Sequence, residues 1–146
     1  KHDEVIVIKA DAFPAPRAIF QGNKGECKRA DFVIIANTNT EKIILCIEMK
    51  KKKGSNKAII QQLTGAKCFV NYCQEIGKAF WHQQNFLDGY QYRFVSIGHI
   101  SMSKKRTRPY SRNKRNHSSN GIHDCPERML KISSQSVLEF NYLIEG

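Results

Sequence analysis

Three residues of this chain have the types and spacing to act on a phosphodiester: Asp31, Glu48 and Lys50. Asp31 opens the apolar run DFVIIA, and Glu48 and Lys50 close the run KIILCIEMK. Side chains alternate faces along a strand, so Glu48 and Lys50 point one way and Met49 the other. In an antiparallel hairpin the start of one strand lies beside the end of the next, which brings Asp31 to the same spot. Two carboxylates can hold a divalent cation, with the backbone carbonyl of Met49 as a further oxygen ligand. An ammonium beside them can stabilise charge that develops when water attacks a phosphate. An isolated Glu-x-Lys is usually a surface pair. The preceding acid, the two apolar strands and the helical pattern that follows single this one out.

The elements that must position these groups are legible in outline. Val5 to Ile8 reads as a short strand. Residues 11–29 carry Pro14, Pro16, Gly22 and Gly25 and read as a loop. Residues 31–36 form the first hairpin strand, residues 37–40 the turn, and residues 42–49 the second strand. Both are nearly continuous in apolar residues, as expected for strands covered on both faces. Ser55 is the expected helix N-cap, and residues 56–80 follow a helical pattern. Ile59, Leu63, Ala66, Val70 and Cys73 recur at the spacing of a buried stripe, which Phe69, Ile76 and Phe80 widen. Gly77 is expected to end or bend this helix. Gln62 falls inside the stripe and points toward the end of the Glu48 strand. A buried amide needs partners, so Gln62 either bonds Lys50, water or phosphate, or is a core glutamine satisfied by backbone. Gln61 is rotated toward the stripe's edge. Residues 92–100 read as a further strand, and residues 129–132 and 137–144 as one or two closing strands. The order implies a mixed α/β sheet with one central helix.

Composition sets the remaining bounds. The 146 residues suit one domain, 1–146. The chain starts at Lys1 without Met, which reads as a piece of a longer protein. No run is apolar enough for a transmembrane helix and no secretory signal is present, so no membrane partner is expected. Five cysteines without framework spacing fit free thiols in a reducing cytoplasm. His99, His117, His123 and Cys125 do not match a zinc-ligand spacing. The net charge of +11 points to an anionic partner, most simply nucleic acid. The charge is concentrated in two runs. One contains Lys51, Lys52 and Lys53. The other is a basic flexible loop over residues 103–120 with Lys104, Lys105, Arg106, Arg108, Arg112, Lys114 and Arg115 beside Tyr110. Such runs contact phosphates and carry affinity rather than sequence preference.

The pieces KRADFVII, ILCIEMKKK and KAIIQQLTGAKCFV resemble the PD-(D/E)XK nuclease superfamily, the restriction-endonuclease-like fold, over roughly residues 28–72. The resemblance implies an α/β, restriction-endonuclease-like mixed β-sheet with a central helix packed on it. It implies a metal-dependent DNA endonuclease in which Asp31 and Glu48 bind Mg²⁺, with Mn²⁺ as a substitute, Lys50 is the catalytic lysine and Gln62 the helix auxiliary. Double-stranded DNA is the expected partner, and enzymes of this kind that cut both strands often act as homodimers. Ala30 stands where the family's proline would be. The family's usual leading helix, sometimes bearing an extra acid, has no counterpart here, although Glu4 and Glu26 are acids in that region. A non-catalytic nucleic-acid-binding module on the same fold is the alternative. A protein-interaction domain, with Glu48 and Lys50 as a surface pair, is a third reading.

Overall fold

A computed structural model describes residues 3–50, 55–98, 122–133 and 138–145. Lys51, Lys52 and Lys53, the basic residues expected in the 103–120 loop, His99 and His117 all lie outside the described residues. Five strands and two helices follow in the order β1 (Glu4–Lys9), β2 (Phe32–Asn37), β3 (Lys42–Lys50), α1 (Asn56–Phe80), β4 (Gln91–Gly98), β5 (Leu130–Ser133) and α2 (Phe140–Ile144). The strands form one mixed sheet in the order β1-β2-β3-β4-β5. β2 pairs antiparallel with β1 and with β3, while β4 pairs parallel with β3 and with β5.

The β2–β3 turn is tied by Thr38, whose Oγ1 accepts from the N–H of Glu41 at 3.0 Å. It sets a register of Phe32 opposite Ile47 and Val33 opposite Cys46. The parallel β3–β4 step needs a crossover, and α1 supplies it. Ser55 caps that helix, its Oγ accepting from the N–H of Ala58 at 3.2 Å. Ile59, Leu63, Ala66 and Val70 are buried and pack with Ala30, Val33, Ile44, Cys46 and Phe94. The opposite face of β3, with Ile43, Leu45 and Ile47, packs with Val95, Ile132 and the α2 residues Leu143 and Ile144. β3 is therefore covered on both sides, which its unbroken apolar sequence requires.

Three expectations are corrected. Of the closing strand expected over 137–144, the described residues 138–144 form no strand and end in the short helix α2, Phe140–Ile144. Its last carbonyls are taken by buried side chains rather than a ladder: Arg93 Nε donates to Ile144 at 2.9 Å, and His123 Nε2 lies 2.7 Å from the Leu143 oxygen. Gly77 does not end α1, which runs on to Phe80. It is the contact for Phe86, whose ring a Cβ at this position would meet at 2.4 Å. The helix stops at Trp81, followed by His82 in the left-handed region at φ 54°. Phe80 is 71% exposed and Cys73 half-buried, so Val70 is the last apolar side chain of the stripe that is fully buried. All five cysteines are free, but Cys68 is exposed. Among the described residues no helix is long and apolar enough to cross a membrane.

Candidate active site

Asp31 lies one residue ahead of β2 and is held by backbone on both sides. Its N–H donates to Ile47 at 3.1 Å, and its carbonyl accepts from Ala10 at 2.9 Å. Its carboxylate Oδ2 accepts the N–H of Met49 at 2.6 Å. The acid thus takes up a backbone donor of β3 beyond the last β2–β3 pair, and it anchors the strand end that carries Glu48 and Lys50.

Glu48 lies on the α1 side of β3, the side of Ile44 and Cys46. It is 2% exposed. One carboxylate oxygen, Oε1, is 2.7 Å from Lys50 Nζ. The same ammonium donates to Gln62 Oε1 at 2.6 Å. The geometry selects among the partners expected for Gln62: it bonds Lys50 and holds that lysine against Glu48. Burial pushes the Glu48 carboxyl above the usual carboxylate range. Its hydrogen bond to Lys50 opposes this, and the nearby charge of Asp31 adds to it.

The second carboxylate oxygen of Glu48, Oε2, is buried and has no hydrogen-bond partner. Leaving such a group unpaired costs about 1–3 kcal/mol, more when it is charged. Among the described residues two other buried side-chain atoms lack a partner, Asn37 Oδ1 and Arg29 Nη1. Arg29 precedes Asp31 by two residues. The deficit beside Asp31 is thus one missing donor or cation at Glu48, while Arg29 lacks an acceptor or anion. Two hard carboxylates beside a strand-end carbonyl fit Mg²⁺ or Mn²⁺ better than a soft-ligand metal. No group of three or more His, Cys, Asp or Glu side chains forms among the described residues. The site therefore offers two carboxylates, Asp31 and Glu48, and no larger cage. His123, considered for zinc, is buried and spent on the Leu143 carbonyl, and burial lowers its pKa.

Several positioning residues escaped sequence reasoning. Gln61 Oε1 accepts from Lys28 Nζ, and its Nε2 donates to the Lys24 carbonyl, both at 2.7 Å. Gly65 lets α1 touch the same segment, since a Cβ there would fall 1.9 Å from the Lys28 carbonyl oxygen. These contacts seat the loop that delivers Asp31. Glu26 braces that loop internally by accepting from the N–H groups of Gly22 and Lys24, so it lies outside the acid cluster. Glu4 is opposite Asn37, at the far end of the β2–β3 hairpin from Glu48. On β4, the buried Ser96 is the register partner of Glu48, and on β5, Lys131 is the register partner of Ser96. Lys131 Nζ reaches Asn56 Oδ1 at the start of α1, at 3.0 Å. Only the approach of strands from distant parts of the chain could reveal Ser96 and Lys131. Gly65 and Gln61 carried a weak signal, a glycine and an amide at the margin of a buried stripe.

Comparison with protein-family models, with curated proteins and with solved structures finds no match to this chain.

Proposed function

We propose that this chain is a metal-dependent nuclease domain of restriction-endonuclease-like architecture, hydrolysing phosphodiester bonds in DNA. The observation that carries the reading is Glu48: a buried carboxylate beside Asp31, with one oxygen on Lys50 and the other unpartnered. Asp31 and Glu48 would hold Mg²⁺, with the Met49 carbonyl as a further oxygen donor. Bound there, the cation would neutralise phosphate charge and lower the pKa of a coordinated water. Lys50 stands ready to stabilise charge on the attacking water or the scissile phosphate, and Gln62 keeps its ammonium in place. Ser96, buried on β4, stands in register beside Glu48. Lys28, ahead of β2 and bonded to Gln61, and Lys131, on β5 and bonded to Asn56, would contact phosphates on either side of the cut. The net charge of +11 supports a polyanionic substrate.

Incubation with plasmid DNA and Mg²⁺ or Mn²⁺ tests this. Asp31→Asn and Lys50→Ala are each expected to lower the cleavage rate by about 100-fold or more, the scale seen when a preorganised electrostatic group is removed. Cleavage that survives EDTA, or variants that cut at the parental rate, would overturn the site. Salt-sensitive DNA binding without metal-dependent cutting would instead indicate a non-catalytic binding module.

A further inference from the structure

β1 forms one edge of the sheet, and among the described residues nothing pairs with its outer side. Such an edge presents a row of free backbone donors and acceptors, and proteins usually blunt it with proline, a mid-strand lysine or a bulge. β1 has none of these: its sequence is EVIVIK, paired residue for residue with β2. Val5, Ile6 and Val7 are 56%, 59% and 62% exposed, so aliphatic side chains project unburied from both faces of the edge. The charges sit only at the two ends, with opposite signs: Asp3 and Glu4 before the aliphatic run, Lys9 after it.

We propose that β1 is the contact between two copies of this chain, pairing antiparallel with β1 of a second copy about a two-fold axis at Ile6. Antiparallel ladders alternate between two kinds of residue pair, so a perpendicular two-fold axis must place some residue opposite its own copy. With Ile6 on the axis, Val5 faces Val7 of the second copy, and Asp3 faces Lys9 of the second copy at both ends. Opposite residues in such a ladder share a face, so each end closes on an acid–base pair, Glu4 lies against Ile8 of the second copy just inside it, and the centre closes on aliphatic pairs. The contact is isologous, closed and self-complementary. The two sheets become one, and the edge that would otherwise template aggregation is consumed. This pairing is independent of the nuclease reading, because no residue of β1 belongs to the Asp31–Glu48–Lys50 cluster.

Sedimentation or light scattering over a concentration series tests it. The parent chain is expected to dimerise as concentration rises. Ile6→Lys, which sets two lysines directly opposite on the axis, is expected to leave a monomer with unchanged circular dichroism. Lys9→Asp alone places acid opposite acid at both ends and should weaken the dimer by about tenfold, from two unfavourable cross-strand pairs. The double variant Asp3→Lys, Lys9→Asp restores opposite charges only in this register and should recover the parental dimer. Failure of the double variant to recover, or a dimer unaffected by Ile6→Lys, would overturn the proposal. So would a parent chain that stays monomeric to about 1 mM. Protection of the β1 amides from hydrogen exchange in such a monomer would mean that another segment of the same chain covers the edge.

Discussion

β1 and β3 are built from the same kinds of residue and have opposite fates. Val-Ile-Val of β1 is more than half exposed, whereas Ile43, Leu45 and Cys46 of β3 are at most 1% exposed. The difference is position in the sheet. β3 has a strand on each side, α1 over one face and α2 over the other, while β1 has, among the described residues, one neighbour and little above or below it. Burial is thus a property of topology that composition does not encode. It also decides where chemistry can be built. Only the central strand can enclose a carboxylate such as Glu48, exclude water from it and shift its proton affinity. The edge strand can offer only surface.

Paired truncations give the comparison its largest test. Leu45→Ala removes a fully buried side chain between β3 and α2 and is expected to cost about 2–5 kcal/mol. Val7→Ala, on a monomeric background such as Ile6→Lys, should change stability by no more than about 0.5 kcal/mol. Urea unfolding followed by circular dichroism reads both. Similar costs at the two positions would mean that β1 is covered and the contrast is false.

What was legible in the sequence follows the same division. The β2–β3 hairpin and α1 were readable because their signals are local: a polar turn at 37–40, unbroken apolar strands, a serine cap and a stripe at helical spacing. Asp31, Glu48 and Lys50 came together from strand alternation and the hairpin, and Gln62 from the helical stripe, since all four span little more than thirty residues. The parallel placement of β4 and β5, and with it Ser96 and Lys131, depends on contacts between distant segments and left no local mark. Residues 137–144 read as a closing strand and instead end in the helix α2. The carbonyls of Ile144 and Leu143 accept from the buried Arg93 and His123, which lie far off in sequence. The seating of the Asp31 loop on Gln61 and Gly65 joins residues more than thirty apart and was missed for the same reason.

That seating yields the next prediction. Gly65→Ala drives a methyl against the Lys28 backbone oxygen, an atom that cannot swing away as a side-chain tip would. The loop must shift, at an expected cost of about 1–3 kcal/mol. Because the same loop delivers Asp31 to Met49, metal affinity should fall along with thermal stability. Gly89→Ala is the contrast: its Cβ would meet nothing within 4 Å, although φ there is +78°. It should lose some stability through backbone strain and leave metal titrations unchanged. If Gly65→Ala binds Mn²⁺ as the parent does, the loop does not position Asp31.

The buried charge at the end of β3 should also leave a signature in pH. The folded-state pKa of Glu48 is raised, chiefly by burial. Its favourable contribution is therefore fully present below the ordinary carboxylate pKa and lost as pH rises through the raised value. Without metal, Glu48→Gln should unfold at a higher temperature than the parent at pH 7, and the gap should close on acidification. Metal should reverse the order, because only the parent gains from it: Mg²⁺ at about ten times its dissociation constant adds about 1.4 kcal/mol. A Gln variant no more stable than the parent in EDTA would show that Glu48 is not strained by its burial.

The smallest effect compares the two ends of β3 itself. Lys131 stands at the Glu48 end, two strands over and in register through Ser96. Lys42 starts β3 at the opposite end, opposite Asn37 and close to the Tyr90 ring. If DNA crosses the sheet at the carboxylate end, Lys131 neutralises a phosphate and Lys42 does not. Lys131→Ala should then weaken binding and make the slope of log affinity against log salt shallower by about 1, while Lys42→Ala leaves the slope as it was. Binding measured in Ca²⁺ across a salt series separates this effect from cleavage. Equal loss of slope for both lysines would mean that the polyanion follows the protein's overall positive charge, and that the Glu48 end of the sheet has no privileged place in holding it.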